Sequence, residues 1–218
     1  MSRSQLESFQ RFPLTIVLGT ESNVRLLRAL TLHGGHLSAP SLTLQTGLAH
    51  LSVLTGLNTL VTAGVVQRIG GGRAKLYSLD GRHPLNPALE ALFETERGRF
   101  RAVLGSIRDA AQACIPKPLA AYIYGSVANG QDTMASDLDI LIVAASGSDV
   151  SALADAMRDN LRQSAKTIGF TPSVAGTERD EIARHLRSPA SPWRSTLESV
   201  TVAYGKAPAD LLPVPATP

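Results

Sequence analysis

The sequence predicts an α/β protein of the α+β kind, built from two modules that a long helix joins. Three observations predict it: short helical patterns followed by two strand patterns, one long helical pattern, and then apolar strands that alternate with helices. The expected segments are a front module over residues 1–86, a linker helix over 87–114, a back module over 115–207 and a disordered tail over 208–218.

The composition is that of a soluble globular protein, with 44% hydrophobic and 18% charged residues among 218. A disulfide scaffold is excluded because Cys114 is the single cysteine. The longest apolar run, from Ile140 to Ala145, is far shorter than the roughly 18 residues that a membrane-spanning helix needs. Residues 1–12 lack the apolar core of a signal peptide, so we expect a cytoplasmic protein with no membrane partner.

Charge is divided unevenly between the two modules. Residues 1–86 carry eight Lys or Arg and three Asp or Glu, a net charge of +5. Residues 87–218 carry 13 and 15, a net charge of −2. A basic front and a mildly acidic back predict two modules with different partners.

The front module begins with three helical patterns and ends with a strand pair. Helical spacing covers residues 23–32, 38–45 and 49–62, and strand patterns cover 65–69 and 74–79. The pair Gly34-Gly35 ends the first helix, Ser38 caps the second, and Gly47 makes the turn before the third.

This order of elements, with Ala63-Gly64-Val65-Val66 after the third helix, resembles the winged helix-turn-helix of bacterial transcription regulators. The resemblance covers about residues 14–82. It implies that the third helix enters the major groove of DNA and that the wing holds phosphates. The outward helix positions are then His50, Ser52, Thr55 and Thr59, and the wing contacts are Arg68, Arg73 and Lys75. Since the third helix has no Lys or Arg, protein contact or dimerisation through this module remains the alternative.

A long helix is predicted from Asn86 to Cys114. Asn86 can cap it, and Pro87 suits the first helical position. Its apolar stripe leaves three roles open: joining the modules, pairing with its copy in a homodimer, or packing on its own domain.

Two aspartates stand at the start of a strand in the back module. Asp137-Leu138-Asp139 leads into the apolar strand over residues 140–143. Because residues two apart in a strand point to one face, the two carboxylates lie together. They repel each other unless a cation lies between them, and oxygen ligands of this kind suit Mg²⁺.

A second motif precedes the aspartates by about ten residues. An apolar strand ends at Tyr124 and leads into Gly125-Ser126. The glycine lets the backbone approach a phosphate closely, and the serine adds a hydroxyl beside backbone amides that point at the anion. Together with Mg²⁺ on the aspartates, these residues predict a site for a nucleoside triphosphate.

Gly-Ser followed by Asp-x-Asp in a strand resembles the minimal bacterial members of the polymerase-β-like nucleotidyltransferase superfamily. The other matching positions are Ala128, Gly130 and Ser136. The resemblance implies a mixed sheet flanked by helices. It also implies that Asp137 and Asp139 are catalytic and hold the metal, and that Gly125 and Ser126 bind the nucleotide. The chain is also similar to bacterial proteins in which a winged helix precedes such a domain.

One departure from that family concerns a third carboxylate. Active relatives place it on a later strand, as a metal ligand and as the base for the attacking hydroxyl. The matching strand over residues 170–174 has no acid, and Glu178, Asp180 and Glu181 fit the first turn of a following helix. Nucleotide binding is therefore better supported than fast transfer.

Two functions remain open. The first is a DNA-binding transcriptional regulator whose nucleotidyltransferase-like domain binds a nucleoside triphosphate with Mg²⁺, or a partner. The second is an active nucleotidyltransferase that moves a nucleoside monophosphate to a hydroxyl acceptor, with the winged helix for recruitment. Trp193 and His185 have no motif partner, so we expect them to pack rather than to belong to the site.

Overall fold

The computed structural model of the chain describes residues 8–71 and 75–212. The chain divides into two compact units, Met1–Gly98 and Arg99–Pro218. Within the described residues, no helix combines the length and the apolar character that crossing a bilayer requires.

The first unit has the predicted order of helices followed by a strand pair. Its elements are α1 (Leu14–Val17), α2 (Glu21–His33), β1 (Leu37–Ser38), α3 (Ala39–Thr46), α4 (His50–Thr62), β2 (Val66–Ile69) and β3 (Leu76–Leu79). The strands form an antiparallel sheet in the order β1-β3-β2. Strand β1 was not predicted, because two residues are too short to show a strand period.

The predicted helix ends of the first unit are confirmed. Gly34 and Gly47 end α2 and α3 with φ of 69° and 66°, a left-handed conformation that glycine adopts without strain. The Ser38 hydroxyl accepts a hydrogen bond from the Ser41 amide at 3.2 Å and so caps α3. These caps set where the chain turns between the three helices that pack together.

The core of the first unit lies between α2 and α4. Leu26 and Leu30 of α2 and Leu57 and Leu60 of α4 are fully buried there. Gly56 lets the two helices approach, since a Cβ at that position would lie 2.6 Å from the Leu26 Cδ1. The core therefore fixes which side of α4 faces outward.

The long helix α5 (Asn86–Ala113) contributes to the cores of both units. Leu89 and Phe93 are buried in the first core, whereas Val103 and Ile107 are buried in the second. The division between the units, after Gly98, falls within this helix. The domain limits at 86, 114 and 207 stay predictions, but in its packing α5 is shared by both units.

Asn86 does not cap α5 as predicted. Its side chain is 1% exposed, and its Nδ2 donates to the carbonyl oxygens of Val65 at 2.9 Å and Asp80 at 2.5 Å. Its Oδ1 has no hydrogen-bond partner within the described residues. The Asn86 side-chain amide thus joins the start of α5 to the segments beside the strand pair. In that orientation it does not cap the helix.

The second unit is built on a mixed sheet. Its elements are β4 (Ala120–Ile123), α6 (Gly125–Ala128), β5 (Leu138–Ala144), α7 (Val150–Ile168), β6 (Pro172–Glu178), α8 (Arg179–Arg187), α9 (Trp193–Glu198), β7 (Thr201–Gly205) and a 3₁₀ turn (Pro208–Leu211). The strand order is β6-β5-β4-β7, with β5 and β6 parallel and the other pairs antiparallel. The predicted α+β class and mixed sheet are confirmed.

The two faces of this sheet pack against different helices. On one face, Ile123 and Ile140 pack with Val103 of α5 and Met157 of α7. We call the opposite face the α8 face. Its buried residues are Ala120, Tyr122, Leu141 and Val143 from the strands, Ile182 from α8 and Leu197 from α9. Alternation along each strand therefore decides to which face every side chain belongs.

Two segment limits differ from the sequence predictions. Strand β6 runs from Pro172 to Glu178 rather than over residues 170–174, so Glu178 ends a strand and directly precedes α8 rather than lying in its first turn. Residues 208–212 were expected in a disordered tail, but Pro208 is buried and Leu211 packs on the α8 face. Apolar contact orders this part of the tail, and residues 213–218 lie outside the described residues.

Candidate functional site

The two aspartates lie where β5 begins. Asp139 is the second residue of the strand and is half-buried, and Asp137 directly precedes the strand and is exposed. Asp139 alternates with Leu141 and Val143, so it belongs to the α8 face. Asp137 stands two residues earlier, just before the strand. Both residues therefore lie at the same end of β5, and the placement of their carboxylates on one face stays a prediction.

Gly125 brings the preceding strand onto Asp139. The Tyr124 amide donates to the Asp139 carbonyl oxygen at 3.0 Å, and the chain then turns at Gly125 with φ of 73°. A Cβ at Gly125 would lie 2.5 Å from the Asp139 Oδ2, closer than any side chain can approach. Glycine is needed here both for the left-handed backbone and for the space that the carboxylate occupies.

The turn after Gly125 presents backbone donors beside the carboxylates. Because α6 is a single turn, its first amides have no carbonyl of a preceding turn to bond. Ser126 is half-buried, and its carbonyl oxygen accepts from the Gln131 amide at 2.8 Å, which closes the turn. The predicted pair Gly125-Ser126 and the predicted pair Asp137 and Asp139 therefore border one place in the fold.

Backbone and loop contacts fix both sides of the aspartate pair. The Leu138 amide donates to the Thr171 carbonyl oxygen at 2.8 Å, which ties the residue between the aspartates to the neighbouring chain segment. Before Asp137, the Thr133 amide donates to the Ser136 hydroxyl at 2.9 Å. The carboxylates are thus carried by anchored backbone, although Asp137 itself is exposed.

Among the described residues, the two carboxylates have no internal partner, unlike other acids of this unit. Asp180 accepts from the Ser146 hydroxyl at 2.7 Å, and Glu181 accepts from the Thr177 hydroxyl at 2.8 Å. Within residues 8–71 and 75–212, no ion pair or side-chain hydrogen bond engages Asp137 or Asp139. Two adjacent, uncompensated carboxylates favour a cation from outside the chain.

Strand β6, which runs parallel to β5, carries no acid near Asp137 and Asp139. The parallel register places Ser173 of β6 next to Asp139, and Glu178 next to Ala144 at the other end. Glu178 stands five residues beyond Ser173, which is roughly 16 Å along a strand. The prediction that this strand lacks a third carboxylate near the pair is therefore confirmed.

The donor set fits a metal that shares its ligands with a substrate. In the described part of the chain, no group of three or more His, Cys, Asp or Glu side chains is placed to hold a metal ion. Mg²⁺ commonly takes one or two protein carboxylates and completes its octahedron with water and substrate phosphates. Asp137 and Asp139 fit that use and do not fit a closed, all-protein metal site.

Two aromatic residues, Tyr124 and Trp193, lie beside this edge, and the sequence analysis assigned neither of them to the site. Tyr124 stands opposite Asp139 across the strand pair, and burial, with a smaller effect of the Asp139 charge, raises its pKa. The Tyr124 and Trp193 rings lie 5.9 Å apart, and Trp193 is 39% exposed. His185 lies 6.3 Å from Trp193, also ring to ring. No local motif identifies Trp193, because only the packing of α9 brings it to Tyr124.

The predicted DNA contacts on α4 are only partly exposed. His50 and Thr55 are exposed, but Ser52 and Thr59 are half-buried in a groove against residues 15–23. Ser52 and Thr59 are thus less open than His50 and Thr55, because α1 and the start of α2 border that flank, and the four DNA contacts stay a prediction. The outermost positions of α4 include Leu51, which is 74% exposed, and Leu54, which is 41% exposed.

The described wing residues are exposed. Arg68 lies in β2, and Lys75 directly precedes β3. Arg73, the third predicted phosphate contact, lies outside the described residues. The charges available beside α4 in the described residues therefore stand on the strand pair rather than on the helix.

Comparison with known proteins bears on the second unit. Residues 105–184 match the family model described as a nucleotidyltransferase domain, a segment that contains Gly125, Ser126, Asp137, Asp139 and Ser173. No curated protein and no solved structure matches the chain. Domains of this family generally use Mg²⁺ with a nucleoside triphosphate. The match covers just over a third of the chain and supports a nucleotidyltransferase domain, and a nucleotidyltransferase-like function, in the second unit.

Proposed function

We propose that the second unit binds a nucleoside triphosphate together with Mg²⁺ at Gly125, Ser126, Asp137 and Asp139. The observation that carries this proposal is the closure of the Gly125 turn onto the Asp139 carboxylate, which engages no side-chain partner within residues 8–71 and 75–212. It sets backbone donors for an anion next to acceptors for a cation. A metal-bound triphosphate is a ligand that needs both.

Each group has a distinct part in this binding. Asp137 and Asp139 would hold the metal, and Mg²⁺ supplies neutralisation of the phosphate charge when it is bound. The Ser126 hydroxyl and the first amides of α6 orient the phosphates. Ser173 is the residue of β6 beside Asp139, and its neutral hydroxyl accepts a proton poorly. The site is therefore better built for binding than for rapid transfer.

Calorimetric titration of ATP, with and without Mg²⁺, tests this proposal. In Asp137→Ala/Asp139→Ala, Mg²⁺-dependent affinity should fall at least about tenfold, since even the outer partners of metal ligands are worth 10- to 100-fold. The control is Asp155→Ala/Asp159→Ala, which removes two exposed acids that pair with arginines on the same helix, α7. Equal binding by the wild type and the Asp137 and Asp139 variant would overturn the proposal.

Transfer of a nucleoside monophosphate to a hydroxyl acceptor is the finer form of this function. The retained phosphate and metal groups favour it, and the missing acid on β6 opposes it. The test is incubation of labelled nucleoside triphosphate with cell extract and Mg²⁺ or Mn²⁺. Labelling that persists in Asp137→Ala at the wild-type level would show that this site is not responsible.

DNA binding by the first unit is the second candidate function, in the role of a transcriptional regulator. The sheet order β1-β3-β2 with a strand pair after three helices favours it, as do the exposed Arg68 and Lys75. The uncharged α4 surface with Leu51 and Leu54 favours the alternative, a protein contact. The same proposal includes a homodimer through α5, which light scattering measures. It also includes a cytoplasmic location, which cell fractionation measures.

A gel shift with DNA from upstream of the gene tests this candidate. Removing two phosphate contacts in Arg68→Ala/Lys75→Ala should lower the slope of log affinity against log salt by about 2. Arg162→Ala/Lys166→Ala on α7 of the second unit is the control. Absence of salt-sensitive binding at micromolar protein would overturn DNA binding and leave the protein contact.

A further inference from the structure

Trp193 is an exposed aromatic side chain on the same sheet face as the aspartates. Its helix, α9, packs on the α8 face through Leu197, and Asp139 belongs to that face. Trp193 keeps 39% of its surface exposed, although burial of an indole is strongly favourable. An exposed tryptophan beside a polar site is a surface that stacks well on a planar ligand.

Tyr124 connects Trp193 to the aspartate pair. Its ring lies 5.9 Å from that of Trp193, at an interplanar angle of 53°. Its amide bonds to Asp139 across the strand pair, so the two side chains stand opposite each other on one face. A single aromatic ring therefore separates the exposed indole from the acidic edge. A nucleotide, whose ribose separates its base from its phosphates, has the shape to cross that interval.

The position of Trp193 is set by polar contacts rather than by apolar packing alone. The Trp193 amide donates to the Ser191 hydroxyl at 3.3 Å, and the same hydroxyl is 2.8 Å from the His185 Nδ1. The His185 ring lies 6.3 Å from the indole. These contacts hold the start of α9 in place, so that stacking on Trp193 would order little additional chain.

We propose that the base of the bound nucleotide stacks on Trp193. The inference rests on the proposed function, because it requires a nucleotide whose phosphates lie at Ser126 and the aspartate pair. It assigns the aromatic half of the ligand to α9 and the anionic half to the strand edge. It also separates two contributions to affinity, one that depends on the base and one that depends on phosphate and Mg²⁺.

Two titrations separate these contributions. Trp193 is the only tryptophan of the chain, so its fluorescence reports directly on stacking. Mg²⁺ with ATP should quench it, whereas Mg²⁺ with inorganic tripolyphosphate should bind by calorimetry without quenching. In Trp193→Leu, which keeps apolar bulk, ATP affinity should fall about tenfold, in the range measured for one base stacked on an aromatic ring, and tripolyphosphate affinity should be unchanged.

The control is Phe100→Ala, which removes a similarly exposed aromatic from α5, in the same unit. Circular dichroism melting shows whether each variant is folded, and Trp193→Phe, which keeps an aromatic face, should recover most of the ATP affinity. If ATP binds the wild type and Trp193→Leu equally, the stacking inference fails and the proposed function stands. If the wild type binds neither ATP nor tripolyphosphate with Mg²⁺, the proposed function itself fails.

Discussion

Polar side chains of the first unit and the aspartates at the edge of β5 are used in opposite ways. In the first unit they bond to the chain itself: Asn86 Nδ2 donates to two carbonyls, and Arg28 donates to Glu96 at 2.6 and 2.8 Å. At the edge of β5 in the second unit, Asp137 and Asp139 engage no partner among the described residues. Internal partners make a polar residue part of the fold, whereas uncompensated carboxylates are available to a ligand.

This contrast also separates the two sites that the sequence predicted. The aspartate edge combines carboxylates that have no partner among the described residues with the first backbone amides of the single-turn helix α6. On α4, by comparison, the Thr59 hydroxyl donates to the Thr55 carbonyl oxygen at 3.1 Å, and leucines occupy the outer surface. The two proposed sites therefore differ in their chemistry, and substitutions in each unit should separate stability from binding.

The largest effect is expected from Gly125→Ala. Its Cβ would collide with the Asp139 carboxylate, and its φ of 73° is strained for alanine, so we expect a loss of about 2–4 kcal/mol in unfolding free energy. Gly130→Ala is a matched control, because φ is 65° and nothing lies within 4 Å of its Cβ. It should lose only about 1 kcal/mol. Chemical denaturation measures both, and equal losses would show that the contact with Asp139 is unimportant.

Asn86→Ala should destabilise the first unit without changing nucleotide binding. It removes one of the two hydrogen bonds that each of the Val65 and Asp80 carbonyls accepts, since the Asp80 and His83 amides remain as donors, and the loss of two hydrogen bonds should cost about 2 kcal/mol. Hydrogen exchange resolved by segment measures the loss in β2 and β3. Asn58→Ala, at an exposed position of α4, is the control. A loss in the second unit as large as that in the first would contradict the local role of Asn86.

Ser173→Asp should strengthen metal-dependent binding in the second unit. A third carboxylate beside Asp139 raises the negative charge around the metal, so half-saturation of ATP binding should need about tenfold less Mg²⁺. Ser173→Asn is the matched control, with similar size and no charge. Calorimetry at a series of Mg²⁺ concentrations measures the change. An unchanged Mg²⁺ requirement would place the metal away from Ser173.

The smallest effect is expected from Glu96→Gln. The hydrogen bonds from Arg28 lower the pKa of Glu96, so this pair stabilises the fold above the pKa of the unfolded chain and loses that effect as pH falls through the folded pKa. Because both side chains are more than a third exposed, the difference at pH 7 should stay below about 1 kcal/mol. Wild type and variant should converge near pH 3, in denaturant titrations across pH. A difference that persists in acid would point to packing rather than to charge.

Local signals predicted most of the elements and the two motifs of the site. Glycines and Ser38 marked the helix ends, and strand alternation predicted that Asp137 and Asp139 lie together. Helix ends and strand alternation can be predicted because they depend on neighbours along the chain. The limits of β6 and the tail were missed, since Glu178 and Pro208 take their places from contacts with distant segments. Asn86 was wrongly assigned to a cap because its carbonyl partners, Val65 and Asp80, flank the strand pair and form no local pattern with the helix start.

The sequence by itself determined the two chemical pairs, Gly125-Ser126 and Asp137 with Asp139, through short spacing within strands and turns. Only the tertiary structure decided that the Gly125 turn closes on Asp139, that Ser173 lies beside it, and that Trp193 reaches Tyr124. Those contacts join segments far apart in the chain. The strand register and the packing of α9 set them, and no local pattern encodes either.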